Sequence, residues 1–142
     1  MRRSNIRGRE AFRARIRKLP RAYQRAAAKA LEQNANEMAA AAQADAPEDT
    51  GDLKISVIAA SVRGSAGLIW RVAAGVGRAR LGGKTLPAGD QEKGFYAAFI
   101  EHGTSKDPGK PFFFYNYRRF RQRFKSRVSR ALTKAGKKHF NG

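Results

Sequence analysis

The sequence predicts an α+β domain with a long N-terminal helix, an antiparallel β-hairpin or small sheet, a short helix and a long basic C-terminal helix. Three observations carry that expectation. Tyr23, Ala27, Ala30, Leu31, Asn34, Met38 and Ala41 recur every three or four residues, the period of one helix face. Two runs rich in β-branched residues, 53–62 and 68–76, are joined by the short link RGSAG, a length suited to a hairpin. Phe113, Tyr117, Phe120, Phe124, Val128, Leu132 and Ala135 form a second helical seam, with arginines over most of the remaining surface.

Residues 1–19 form a basic arm whose helical stripe is limited to Phe12, Ile16 and Leu19, an arm expected to be helical only when bound. A single α+β domain follows over 20–138, and 139–142 are a tail end. Pro20 suits the first turn of the long helix, and Pro47 ends it by excluding the helical conformation from the residue before it. Alanine gives this helix high intrinsic propensity and lets a neighbour approach closely. The sequence APEDTGDL at 46–53 reads as a turn, with Pro47 fixing one angle, Asp49 and Thr50 bonding backbone groups and Gly51 supplying a positive angle. Its carboxylates lack the alternating spacing and closing glutamate of a calcium loop. In the second apolar run Leu68, Trp70, Val72, Ala74 and Val76 alternate with Arg71 and Gly75, which places Trp70 as a core anchor.

Residues 77–94 make a long, glycine-rich loop of mixed charge, a length that in a compact domain usually serves a function. Gly82, Gly83 and Lys84 lack the spacing of a phosphate-binding loop. The chain is organised around the stretch FYAAFIEHGTSKDPGKPFFF at 95–114. Phe95, Tyr96, Phe99 and Ile100 share one side of a short helix, and Gly103 stops it, glycine alone taking the left-handed conformation without steric cost. Thr104, Ser105 and Asp107 serve the turn, and Pro108, Gly109 and Pro111 return the chain to the core at Phe112. Glu101 and His102 are neighbours that point apart on a helix, with no third ligand at a metal-binding spacing.

The hydrophobic fraction of 42% includes 25 alanines, so the core is expected to be thin. A thin core hints at further apolar surface buried against other copies or partners. Cysteine is absent and histidine is limited to His102 and His139, which removes thiolate chemistry and leaves little for general acid–base catalysis. No enzyme, metal site or cofactor is expected. No apolar run approaches the length of a membrane span. The arginine-rich start lacks the apolar middle of a signal peptide and reads as mature protein.

The formal net charge is +19, and its distribution is uneven. Residues 1–29 hold eleven Lys and Arg against Glu10 alone, and 110–142 hold another eleven with no acid at all. The body between them is nearly neutral. Arg7, Arg9, Arg13 and Arg17 in the first arm, and Arg118, Arg119, Arg121, Arg123, Lys125, Arg127 and Arg130 in the last helix, are the candidate contacts to a polyanion, either nucleic acid or an acidic protein surface. Aromatics interleaved with arginines also occur where single-stranded bases stack, but strict helical spacing assigns these aromatics to packing.

Three short motifs then occur in order: A-P-x-D-T-G-x-L-x-x-S at 46–56, Y-A-x-F-x-E-x-G-T at 96–104 and K-P-F-F at 110–113. With the helix before them and the two strands between, they resemble the small tail-component family of long-tailed bacteriophages, the neck or tail-completion proteins. The likeness spans about residues 20–135. Members often follow P-F with a basic residue and a proline-alanine step, where this chain has Phe114, Tyr115 and Asn116. The resemblance implies that Pro47, Asp49, Thr50, Gly51, Glu101, Gly103, Thr104, Pro111 and Phe112 hold the fold. It implies a non-enzymatic ring protein at the head–tail junction of a virion, made in the host cytoplasm, that completes or terminates the tail. Its partners would be identical copies, a head-closure or terminator ring and tail-tube proteins, with packaged DNA contacted without reading sequence. The rival expectation, carried by charge alone, is a free nucleic-acid-binding protein of nucleoid or ribosomal type.

Overall fold

The long alanine-rich helix α1, Arg21–Asp45, buries Ala27, Ala30, Asn34, Ala35, Met38, Ala39 and Ala42 along one face. The computed structural model describes Ala14 and residues 20–47, 52–75 and 97–141. Pro20 lies just before α1, where its carbonyl accepts from the amides of Tyr23 and Gln24 at 3.0 and 3.2 Å. At the other end Ala46 turns extended, with φ −64° and ψ 129°, as expected of a residue that precedes proline.

The first apolar run departs from its expected strand. Asp52–Ile55 is a single helical turn, α2, and the strand β1 is confined to Ile58–Ser61. The reason lies in Leu53 and Val57, 4% and 1% exposed, which meet the same core one helical turn apart. The Ser56 hydroxyl donates to the Leu53 carbonyl at 2.6 Å and closes that turn. It also accepts from the Gly75 amide at 3.0 Å, fastening the far end of the hairpin.

Strand β2, Trp70–Ala73, pairs antiparallel with β1, Ile58 opposite Ala73 and Ser61 opposite Trp70. These two strands of four residues make the sheet seen among the described residues. The link between them turns through positive φ at Gly64, Ala66 and Gly67, and Trp70 Nε1 donates to the Gly67 carbonyl at 3.0 Å. Trp70 is half-buried, packed against the core from its edge. The core itself is thin, as the alanine content requires. Ala35, Ala39, Ala42, Ala46, Ala59 and Ala97 surround Leu53, Val57 and Phe112.

The short helix α3, Ala97–His102, buries Ala97 and Glu101. Its expected aromatic stripe is corrected here, because Phe99 is 50% exposed, while Ile100 packs on the core and Phe95 and Tyr96 lie outside the described residues. The long helix α4, Phe114–Phe140, runs antiparallel to α1. Asn116 Nδ2 donates to Asp45 Oδ2 at 2.7 Å near its start, Asn34 Nδ2 to the Phe124 carbonyl at 3.1 Å midway, and Tyr23 meets His139 edge-on at its end. The expected seam of α4 faces α1 but is only half-covered, and Tyr117 is 48% exposed. Alanines on α1 allow close approach and offer little area with which to cover the larger rings.

Candidate functional site

Between α3 and α4 the chain crosses itself at backbone distance. Gly103, with φ +80°, follows α3, and its amide donates to the Phe99 carbonyl at 2.7 Å. A Cβ there would come within 2.5 Å of the Gly109 nitrogen, and one on Gly109 would come within 2.7 Å of the Gly103 nitrogen and 2.8 Å of the Glu101 carbonyl. Neither glycine therefore tolerates a side chain without moving backbone. Thr104 holds the loop from inside, its hydroxyl accepting from the Asp107 amide at 3.1 Å and its own amide donating to the Asp107 carbonyl at 2.9 Å. The Lys110 amide then returns to the Ile100 carbonyl at 2.7 Å.

This crossing delivers the start of α4 to Glu101. A helix leaves its first amides without internal partners, and the residue before α4 is Phe113, which offers no side-chain acceptor. Glu101 supplies the cap from a distance. Its carboxylate accepts from the amides of Phe112 at 2.8 Å, Phe113 at 2.9 Å and Phe114 at 2.9 Å. Burial alone would raise the Glu101 pKa, but the three amides outweigh it, aided by His102, and the carboxyl lies below its ordinary 4.5. The negative charge also sits at the positive end of the helix dipole. Phe112, 1% exposed, is pinned in the core by the same contact. Of the motif residues, Pro47, Glu101, Gly103, Thr104, Pro111 and Phe112 are described, and four of them build this crossing. Asp49, Thr50 and Gly51 lie outside the described residues.

The basic residues divide into two kinds. Arg127 is drawn inward, giving Nη1 to Asn34 Oδ1 and Nη2 to Glu37 Oε2, both at 2.6 Å. Arg123 reaches Glu37 Oε1 at 3.1 Å, with 58% of its side chain still exposed. The expectation that the arginines of this helix lack a carboxylate overlooked α1, which carries Glu37 across the helix pair. Arg118, Arg119, Arg121, Lys125 and Arg130 are exposed, with the Arg119 guanidinium 4.9 Å from the centre of the Phe120 ring. Arg7, Arg9, Arg13, Arg17 and the loop at 77–94 lie outside the described residues. A double-mutant cycle is expected to return a coupling of about 1 kcal/mol for Arg127 with Glu37, and under about 0.5 kcal/mol for the more exposed Arg123 with Glu37. Chemical denaturation of the single and double alanine variants measures both.

A separate apolar surface lies around the start of α4. Phe99, Phe114, Tyr115 and Tyr117 are each close to half-exposed, and His102 stacks on Phe114 with ring centres 6.1 Å apart. Two grooves, of about 280 and 370 Å³, share Val72 and Phe113 as lining residues, and so the apolar surface is continuous from α3 across β2 to α1. Among the described residues no group of His, Asp and Glu is placed to hold a metal ion, and no helix is long and apolar enough to cross a membrane.

Residues 10–103 match the family described as "Bacteriophage HK97-gp10, putative tail-component". The chain belongs to that family. The matched stretch includes α1, the hairpin, α3 and Gly103, and it stops before Glu101's partner amides at the start of α4. The match thus covers α1 to α3 of this tail component, and its basic helix lies beyond the match. No curated protein and no solved structure matches the chain.

Proposed function

We propose that the chain is a structural protein of the head–tail junction of a phage or phage-derived particle. In this reading it forms a ring that completes or caps the tail and joins it to the head. Its neighbours are identical copies, a head-closure or terminator ring and the tail-tube proteins. The family match over residues 10–103 carries the reading. The surface supports it. Half-exposed aromatics gathered at one end of α4 supply the kind of anchor that interfaces between subunits use, and the basic segments at both ends of the sequence suit a channel through which DNA passes. Pro47, Gly103, Thr104 and Phe112 serve the fold, while the first arm and the loop at 77–94 serve contacts between neighbours.

A free nucleic-acid-binding protein is the second reading, favoured by the net charge of +19. Light scattering of the purified protein, alone and mixed with isolated tails, separates the two. A closed ring, or a monomer that assembles on tails, supports the junction role. A monomer that ignores tails and coats DNA supports the rival.

A further inference from the structure

We propose that the outward face of α4 is a seat for the sugar-phosphate backbone of duplex DNA. This deepens the junction reading and rests on it for the source of the duplex, the packaged genome. Between residues 118 and 138 every exposed side chain of α4 is Arg, Lys, Gln, Ser or Thr. No carboxylate follows Asp107 in the sequence, and Glu37 engages Arg123 and Arg127 at the edge nearest α1. At about 3.6 residues per turn, Arg118, Gln122, Lys125 and Ser129 stand opposite Asn116 and Phe120, on the side turned away from α1. A shallow depression running from there toward the Glu37 edge is lined by Gln122, Arg123, Lys125, Ser126, Ser129 and Arg130.

That composition distinguishes the two polyanions. A protein–protein interface places aromatic and apolar side chains at its centre. From Arg118 to Lys138 this face exposes no aromatic side chain, and the exposed Phe114, Tyr115 and Tyr117 stand in the first turn of α4, just before it. Contacts to a phosphate backbone come instead from Arg and Lys with Ser, Thr and Gln between them. Small side chains at Ser126 and Ser129 let a strand approach while the cations beside them reach its phosphates. The face is about 30 Å long at about 1.5 Å per residue, close to one turn of duplex. None of it falls within residues 10–103, the stretch that matches the family.

Anisotropy titrations of the full-length protein with a labelled random-sequence duplex, across a salt series, test the seat. Binding is expected to weaken steeply with salt and to be indifferent to sequence. Combining Arg118→Gln, Arg121→Gln and Lys125→Gln is expected to reduce the salt slope by about 3 and the affinity on the order of tenfold or more. Combining Arg119→Gln, Arg130→Gln and Lys137→Gln is expected to act in the same direction. All six residues are exposed, and unchanged circular dichroism and melting will show that the variants fold. Folded variants that keep the full slope overturn the proposal and assign binding to the first arm. A protein that binds polyglutamate but not duplex also overturns it, in favour of an acidic protein surface. Because the titration uses the isolated protein, DNA binding and incorporation into particles succeed or fail independently.

Discussion

Glu101→Ala lowers the unfolding free energy by about 3 kcal/mol and the melting temperature by about 10 °C. Hydrogen bonds to a charged group contribute about 1.5–3 kcal/mol each, and Glu101 accepts three, from Phe112, Phe113 and Phe114. The sum is reduced because water reaches part of the freed helix end, where an ordinary cap is worth about 0.5–2 kcal/mol. The effect has a pH signature. The folded carboxyl sits below its ordinary 4.5, so its stabilising contribution is complete above the unfolded value and is lost as pH falls through the folded one. Acid therefore weakens the native protein in the window below 4.5, and Glu101→Gln, which does not titrate, flattens that part of the profile. Melting curves between about pH 7 and pH 3 measure both. Equal acid sensitivity in the wild type and Glu101→Gln would contradict the assigned role.

Gly103→Ala is the second large effect, at about 2–5 kcal/mol. A residue other than glycine at positive φ costs about 1–2 kcal/mol, and the new Cβ would sit 2.5 Å from the Gly109 nitrogen and 2.9 Å from the Asp107 carbonyl. Both are backbone atoms, so relief requires moving the crossing that presents Glu101 to α4. Overpacking of that kind adds about 1–3 kcal/mol. Gly64 is the internal control. Its φ of +76° is nearly that of Gly103, but nothing lies within 4 Å of an added Cβ. Gly64→Ala is expected to cost about 1 kcal/mol, from the dihedral alone. Denaturant unfolding of both variants isolates the crossing, and equal losses would show that the close approach carries no cost.

Much of the fold is legible in the sequence, because it depends on local signals. Pro47 stops α1, the three-or-four spacing of alanines marks its buried face, and Gly103 ends α3. The elements that escaped are those set by distant contacts. Leu53 to Ile55 read as strand on β-branched content, whereas the burial of Leu53 and Val57 one turn apart, with the Ser56 hydroxyl closing on Leu53, makes a helical turn. Phe99 reads as core by spacing, yet α3 is too short to cover it and turns Ala97 and Glu101 inward instead. Glu101 as the cap of α4 was out of reach of periodicity, since its partners follow eleven to thirteen positions later. One clue did exist in the sequence. Phe112, Phe113 and Phe114 offer no Ser, Thr, Asp or Asn to cap a long helix, so the acceptor had to come from elsewhere, and Glu101 lies across a turn that brings the chain straight back. Pairing of Arg127 with Glu37 was equally hidden, because it needs the antiparallel register of α1 and α4.

Particle assembly in a phage or phage-derived element from which this chain has been deleted is the decisive measurement, read by electron microscopy and infectivity of the lysate. DNA-filled heads and separate tails, rejoined when the chain is supplied in trans, are the expected result. Stable, infectious particles with normally attached tails would remove the chain from the head–tail junction.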